Sequence, residues 1–172
     1  FIRDLPVSDA DVVGEVGRGF YTLLDGINPE RIVISAEACG IGFRALERAI
    51  AYAKERVVFD RPIGQNQAIA HPLADSYSEL VAAELLWQKA AWTYDRGEPA
   101  GPLANMAKIR CADASFRACD RALQTLGGFG YAREYHVERY WREARLMRIA
   151  PISQEMALNF VAEHVLELPR SY

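Results

Sequence analysis

Long hydrophobic runs, lysine and paired cysteines are all scarce in this chain, and each scarcity excludes something. No stretch of the 172 residues approaches the roughly 20 apolar residues that a membrane-spanning helix needs, and no signal peptide is visible. Cys39, Cys111 and Cys119 form no C-x-x-C pair and are odd in number. That pattern argues against a disulfide framework and reads as small buried thiols in a reducing compartment, so the expected location is cytoplasmic. There are 3 lysines against 17 arginines. Arginine suits bidentate contacts to phosphate and carboxylate, and a GC-rich genome gives the same bias. The net charge of −3 supplies no global attraction to nucleic acid or an anionic membrane, so neither is an expected partner.

Metal and nucleophile motifs are also missing. A di-iron bundle needs Glu-x-x-His on two helices, yet the residues three before His71, His136 and His164 are Ala68, Arg133 and Val161. No metal site is expected. Neither a G-x-S-x-G elbow nor a Walker loop occurs.

What is present is helical periodicity. Hydrophobic residues make up 51% of the chain, enough for a globular core. After the strand-like "FIRDLPV" and the turn "GEVGRG", apolar residues recur at helical spacing from about Phe20 to Phe59. Pro29 marks a kink or the true start of that helix. "DRPIGQN" breaks it, and a second helix runs to about Arg96, with Leu73, Tyr77, Leu80, Trp87, Ala91 and Tyr94 along one face. Pro72 fits only near its first turn. A third helix covers roughly Leu103 to Leu126, stopped by "GGFGY" through glycine's tolerance of positive φ. A short piece near Val137 to Ala144 and a last helix from Ser153 to about Leu166 follow, with Ser153 as N-cap. The expected fold is all-α, an antiparallel four-helix bundle with a short strand-like N-terminal lead-in.

Within the first helix, Leu24, Ile27, Ile34, Ala38, Ile41 and Ala45 form an apolar seam. Steps of three and four from Ile27 land on Glu30 and Arg31. A charged pair on that face either has a structural partner or meets a ligand. Other groupings have plain readings when taken singly. "QTLGGFGY" is a helix stop or an anion cradle, and Arg56 in "ERVVFDRPIGQNQ" is a solvated helix-end charge. The Arg139, Arg142, Arg145 and Arg148 row is a salt-bridged or solvated face.

Taken together, "NPERIVIS", "AIAYAKERVVFDRPIGQNQAI", "LAD", "AKIRCADAS", "QTLGGFGY" and "VERYWREARLMRI" resemble the C-terminal helical domain of acyl-CoA dehydrogenases. The resemblance covers nearly the whole chain. It implies a lead-in over residues 1–19 from a missing middle β-domain and a C-terminal helical-bundle domain over 20–172. It also implies FAD, oxidation of an acyl-CoA thioester to the 2,3-enoyl thioester, and hydride transfer to flavin N5. An electron-transferring flavoprotein is the implied electron acceptor, and a homodimer or homotetramer the implied assembly.

Residue by residue, the resemblance assigns Arg56, Phe59, Gln67, Gln124, Gly127 and Gly128 to FAD held mainly by a neighbouring subunit, Arg56 at its pyrophosphate. Asp60 departs from the glycine common after that Phe. Ser153 and Glu155 fall where relatives hold FAD from the same subunit, Glu155 in place of a more usual Gln. Asn28 and Arg31 are assigned to the CoA portion of the substrate.

One departure bears on the chemistry. Many relatives carry the catalytic Glu in an E-G-T/S sequence before the last helix, but here that stretch is "IAPISQEM", with Pro151 at the position. Some members place the base immediately before the CoA-contacting Arg, which here is Glu30. A carboxylate between Ile27 and Ile34 is expected to be desolvated and its pKa raised toward that of a working base. A structural ion pair for Glu30 is the plain alternative, and Glu37 on the same seam is expected to be structural. Two other functions share the fold: a flavin-dependent monooxygenase or nitroalkane-oxidase-like enzyme, and a non-catalytic partner subunit of a mixed oligomer.

Overall fold

The computed structural model describes residues 1–170, apart from the Asp25 side chain. Three long helices carry the fold: α1 (Gly19–Glu55), α2 (Gln67–Asp95) and α3 (Gly101–Leu126). A two-stranded hairpin, β1 (Val57–Val58) and β2 (Arg61–Pro62), separates α1 from α2. After α3 come the single-turn α4 (Gly128–Tyr131), then α5 (Val137–Leu146) and α6 (Gln154–His164). The bundle expected from sequence is present, with its fourth position shared between α5 and α6.

Contacts between named residues set the helix directions. Arg117 and Arg121 of α3 pair with Glu79 and Asp75 of α2 at 3.0 and 2.9 Å, so these helices run antiparallel. Gly101 of α3 lies beside Asn28 of α1, and Ser115 beside Gly42. That near-constant offset makes α1 and α3 parallel. Phe160 of α6 reaches Gly101, while Arg148, just before α6, bonds Asp113 further along α3, so α6 runs back along α3.

Small residues let the helices approach. Ala38, Ala45, Ala49, Ala114, Ala118 and Ala122 are almost wholly buried in one core cluster. A Cβ on Gly42 would lie 2.7 Å from Leu80 Cδ2 and 3.1 Å from Ser115 Cα, so there is no room for a side chain there, where the three helices meet. The seam residues Leu24, Ile27, Ile34 and Ile41 are only half-buried and border this alanine-rich centre.

Several expectations need correction. No strand forms in the lead-in; its short 3-10 turn, Asp9–Asp11, is held by Asp11, whose carboxylate accepts from the N–H and hydroxyl of Ser8 at 2.8 Å. Helix α1 starts at Gly19 and continues through Pro29, and it ends at Glu55, short of Phe59. Pro72 sits inside α2 beyond its first turn. Tyr77 and Tyr94, expected on the core face of α2, are exposed, and the face is carried by Leu73, Ser76, Leu80, Ala83, Ala90 and Thr93. The bulky tyrosines would hold α3 away, and the smaller residues do not.

Candidate functional site

The sequence-selected residues fall into two groups at opposite ends of the bundle. The first gathers where α1 and α3 end and α2 begins. Arg56 caps α1, and its carbonyl accepts from Ile63 N–H at 2.9 Å, which closes the hairpin. At the hairpin tip Phe59 and Asp60 both have positive φ, 52° and 61°, as a two-residue I′-type turn requires. Aspartate tolerates that region and phenylalanine seldom does, yet Phe59 stands 93% exposed. Tyr52 meets Phe129 at 6.3 Å between ring centroids, which places the glycine turn after α3 beside the end of α1. Gly127 has φ +59° and stops α3 as the sequence anticipates, and a Cβ on Gly128 would meet nothing within 4 Å.

Arg56, Phe59, Gln67, Gln124, Gly127 and Gly128 are all exposed. An unpaired forked cation, free amide side chains and open glycine backbone fit a phosphate-bearing nucleotide approaching from outside the chain. The exposed row on α5 is only partly solvated: Arg142 pairs with Glu138 at 3.0 Å, and Arg139 and Arg145 lie over the Tyr140 and Phe116 rings.

The second group lies near the other end. Arg31 is buried at 6% exposure, and its Nη1 donates to Asn28 Oδ1 at 2.8 Å. Burial pulls the Arg31 pKa below its ordinary value, and Glu30 partly opposes that shift. Glu30 itself is exposed and lines an open groove of about 480 Å³ with Val13, Leu23 and Ile27. The expectation that it is desolvated is therefore not met within this chain: one helix step separates the buried guanidinium from a carboxylate that faces outward. Glu37 is exposed too.

Helix α6 starts beside the middle of α3. Ser153 Oγ accepts from Met156 N–H at 3.3 Å, as an N-cap should. Gln154 is buried and its Oε1 accepts from Arg148 Nε at 3.0 Å, while Glu155 is exposed. Arg148 Nε also lies 3.0 Å from Asp113 Oδ1, so the segment before α6 is tied to α3. Neither Ala150 nor Pro151, joined by a cis peptide, offers a group that can take a proton.

Sequence reasoning missed four polar residues in this region: Asn105, Lys108, Arg148 in its bridging role, and Gln154. Asn105 and Lys108 are 0% exposed. Desolvation pulls the Lys108 pKa down; Glu155 and Asp113 oppose the shift, and Arg148 and Arg31 add to it. The only signal was the helical register of Lys108, which shares a face with the buried Ala104, Cys111 and Ser115.

The two groups are separated by most of α1. From Arg31 to Glu55 the helix rises roughly 35 Å. The two sets therefore lie far apart on a single copy.

Known proteins give these positions a context. Residues 17–166 match the family model described as acyl-CoA dehydrogenase, C-terminal domain. Acyl-CoA dehydrogenase FadE12 of Mycobacterium tuberculosis is 48% identical over 100% of this chain and 45% of its own length. A 3-(aryl)acrylate reductase of Clostridium sporogenes is 36% identical over 96% of the chain and 44% of its own. The solved butyryl-CoA dehydrogenase of Megasphaera elsdenii superposes with TM-score 0.90 at 34% identity, over 93% of this chain and 42% of that one. The chain thus spans less than half the length of these relatives. Among the described residues no helix is long and apolar enough to cross a membrane, and no cluster of residues suits a metal ion. On sequence and fold alike, the chain belongs to the acyl-CoA dehydrogenase family, as its C-terminal helical domain.

Proposed function

We propose that this chain is the C-terminal part of an FAD-dependent acyl-CoA dehydrogenase in which Glu30 removes the α-proton of the thioester and Arg31, with Asn28, holds its CoA portion. The observation that carries the assignment of the base is the pairing of absence and presence. Residues 150 and 151 offer no titratable group, whereas Glu30 opens onto a groove beside a buried arginine. FAD, when bound, supplies the acceptor for the β-hydrogen.

The residues of this chain then have separable tasks. Arg31 is held by Asn28 and cannot relax into solvent, which preorganises a cation for an anionic carrier. Glu30 is wet here, and closure of its groove by substrate and neighbouring domain removes that water and strengthens the base. Ser153 still has its hydroxyl hydrogen to donate, and the free N–H groups of the α6 first turn suit a phosphate or ribose oxygen. Arg56, Phe59, Gln67, Gln124, Gly127 and Gly128 serve the cofactor of a second copy, which makes a homodimer or homotetramer part of the catalytic unit. The reduced enzyme passes electrons to an electron-transferring flavoprotein, and a reducing cytoplasm suits its free thiols.

Mixing the full-length protein with acyl-CoA in the absence of oxygen tests this reading. The bound flavin should bleach, and the product should be the enoyl thioester. A flavin that stays oxidised until oxygen and a reductant are supplied would assign the chain to a monooxygenase instead.

A further inference from the structure

The α1–α3 layer beneath the candidate substrate site contains three buried polar atoms with no hydrogen-bond partner among the described residues: Arg31 Nε, Asn105 Oδ1 and Lys108 Nζ. Two are donors and one is an acceptor, yet they do not pair. The parallel offset that puts Asn28 beside Gly101 places Arg31 level with Ala104 and Asn105, and Ser35 level with Lys108. Asn105 Nδ2 donates to Gly101 O at 2.9 Å, and Asn28, the residue that holds Arg31, lies against the same glycine. Two side-chain acceptors, Asn28 Oδ1 and Asn105 Oδ1, thus belong to residues at or next to the level of the guanidinium. It takes Asn28 Oδ1 on its own helix and leaves Asn105 Oδ1 unused.

We propose that Lys108 is a positioning residue for Arg31: its buried charge, about one turn further along α3, keeps the guanidinium off Asn105 and turned toward Asn28. The inference rests on the reading of Arg31 as the substrate contact. The charged groups that act on Lys108 are Asp113 on its own helix, Glu155 on α6, Arg148 before α6 and Arg31 on α1. Asp113 is engaged by Arg148 and Glu155 is exposed, so no carboxylate touches the ammonium. Like charges in a low-dielectric layer repel over several ångströms, and Lys108, wholly enclosed, cannot turn away into solvent. A merely structural role is a poor account of such a group. A buried ammonium that no carboxylate touches costs stability through desolvation, and an apolar side chain of similar volume would avoid that cost.

The test uses the full-length protein and acyl-CoA binding followed by flavin absorbance. Lys108→Met keeps the length and removes the charge, and Lys108→Gln is a second neutral variant should Met disturb folding. Either should leave the melting temperature at or above that of the parent and weaken acyl-CoA affinity about tenfold or more, with a smaller effect on flavin reduction at saturation. Adding Asn105→Leu removes the competing acceptor, so Lys108→Met/Asn105→Leu should recover most of the affinity. Unchanged affinity in both neutral variants, or a loss that Asn105→Leu does not rescue, overturns the inference. Arg31→Ala separates the two levels: if it weakens binding and the Lys108 variants do not, only this inference fails. If Arg31→Ala also binds normally, the reading of the substrate site fails with it.

Discussion

Glu30 and Arg31 are adjacent in sequence and opposite in burial: the guanidinium is enclosed between helices, and the carboxylate faces an open groove. An anchored cation next to a solvent-facing carboxylate suits the proposed site, which would bind an anionic carrier before it moves a proton. Arg31→Ala should therefore act through affinity. A hydrogen bond to a charged group contributes about 1.5–3 kcal/mol, so acyl-CoA binding should weaken roughly 10- to 150-fold. The rate of flavin reduction at saturating substrate should fall much less. Titration of the full-length variant with acyl-CoA, followed by stopped-flow reduction, measures both.

Packing makes a separate demand at Gly42. In an exposed helix Gly→Ala stabilises by up to about 1 kcal/mol. Here the new methyl would press on Leu80, which is wholly buried, and on the Ser115 backbone. Gly42→Ala should instead destabilise by about 1–3 kcal/mol, the usual cost of overpacking. Urea unfolding decides the sign.

Much of the bundle was legible because its signals are local. Gly127 stops α3 with positive φ, and Ser153 caps α6, as their residue types require. The hairpin at 57–62 was not, since Val57, Val58 and Phe59 continue the apolar pattern of α1 and nothing before the structure shows that pattern ending at Glu55. The site was half legible. Motif spacing singled out Glu30 and Arg31, but period alone put both on the buried face, and the structure buries only one. Lys108 went unnoticed because a lysine in a helix is ordinarily solvated, and only the neighbours of α3 on both sides reveal its enclosure.

Lys108 also makes stability depend on pH. Its folded pKa is lowered, so at high pH the folded chain releases this proton before the unfolded chain does. Below the folded pKa both states are protonated and the desolvation cost is fully present. Between that value and the ordinary lysine pKa of about 10.4 the unfolded state binds more protons, so this group's contribution to stability rises with pH. Lys108→Met should abolish that rise, as chemical denaturation of parent and variant over the alkaline range would reveal.

At the other end of the bundle, Arg56, Phe59 and Gln67 stand free on the surface of one copy. Residues 1–172 on their own should associate through their exposed apolar surface, Leu85 and Trp92 of α2 among it, without retaining FAD. In the full-length assembly Arg56→Ala should lower FAD occupancy. A yellow 172-residue chain with one flavin per copy, or an Arg56→Ala enzyme with full occupancy, contradicts this assignment.

The identity of the base is tested most directly by anaerobic stopped-flow reduction of the full-length Glu30→Gln enzyme. Glutamine keeps the size and most of the hydrogen bonding of Glu30 but cannot take the proton, and Arg31, the proposed contact to acyl-CoA, is unchanged. Flavin reduction should slow by about 10² to 10⁴, the range for loss of a general base, with binding preserved. Reduction at the parental rate would place the base elsewhere and contradict the assignment of Glu30.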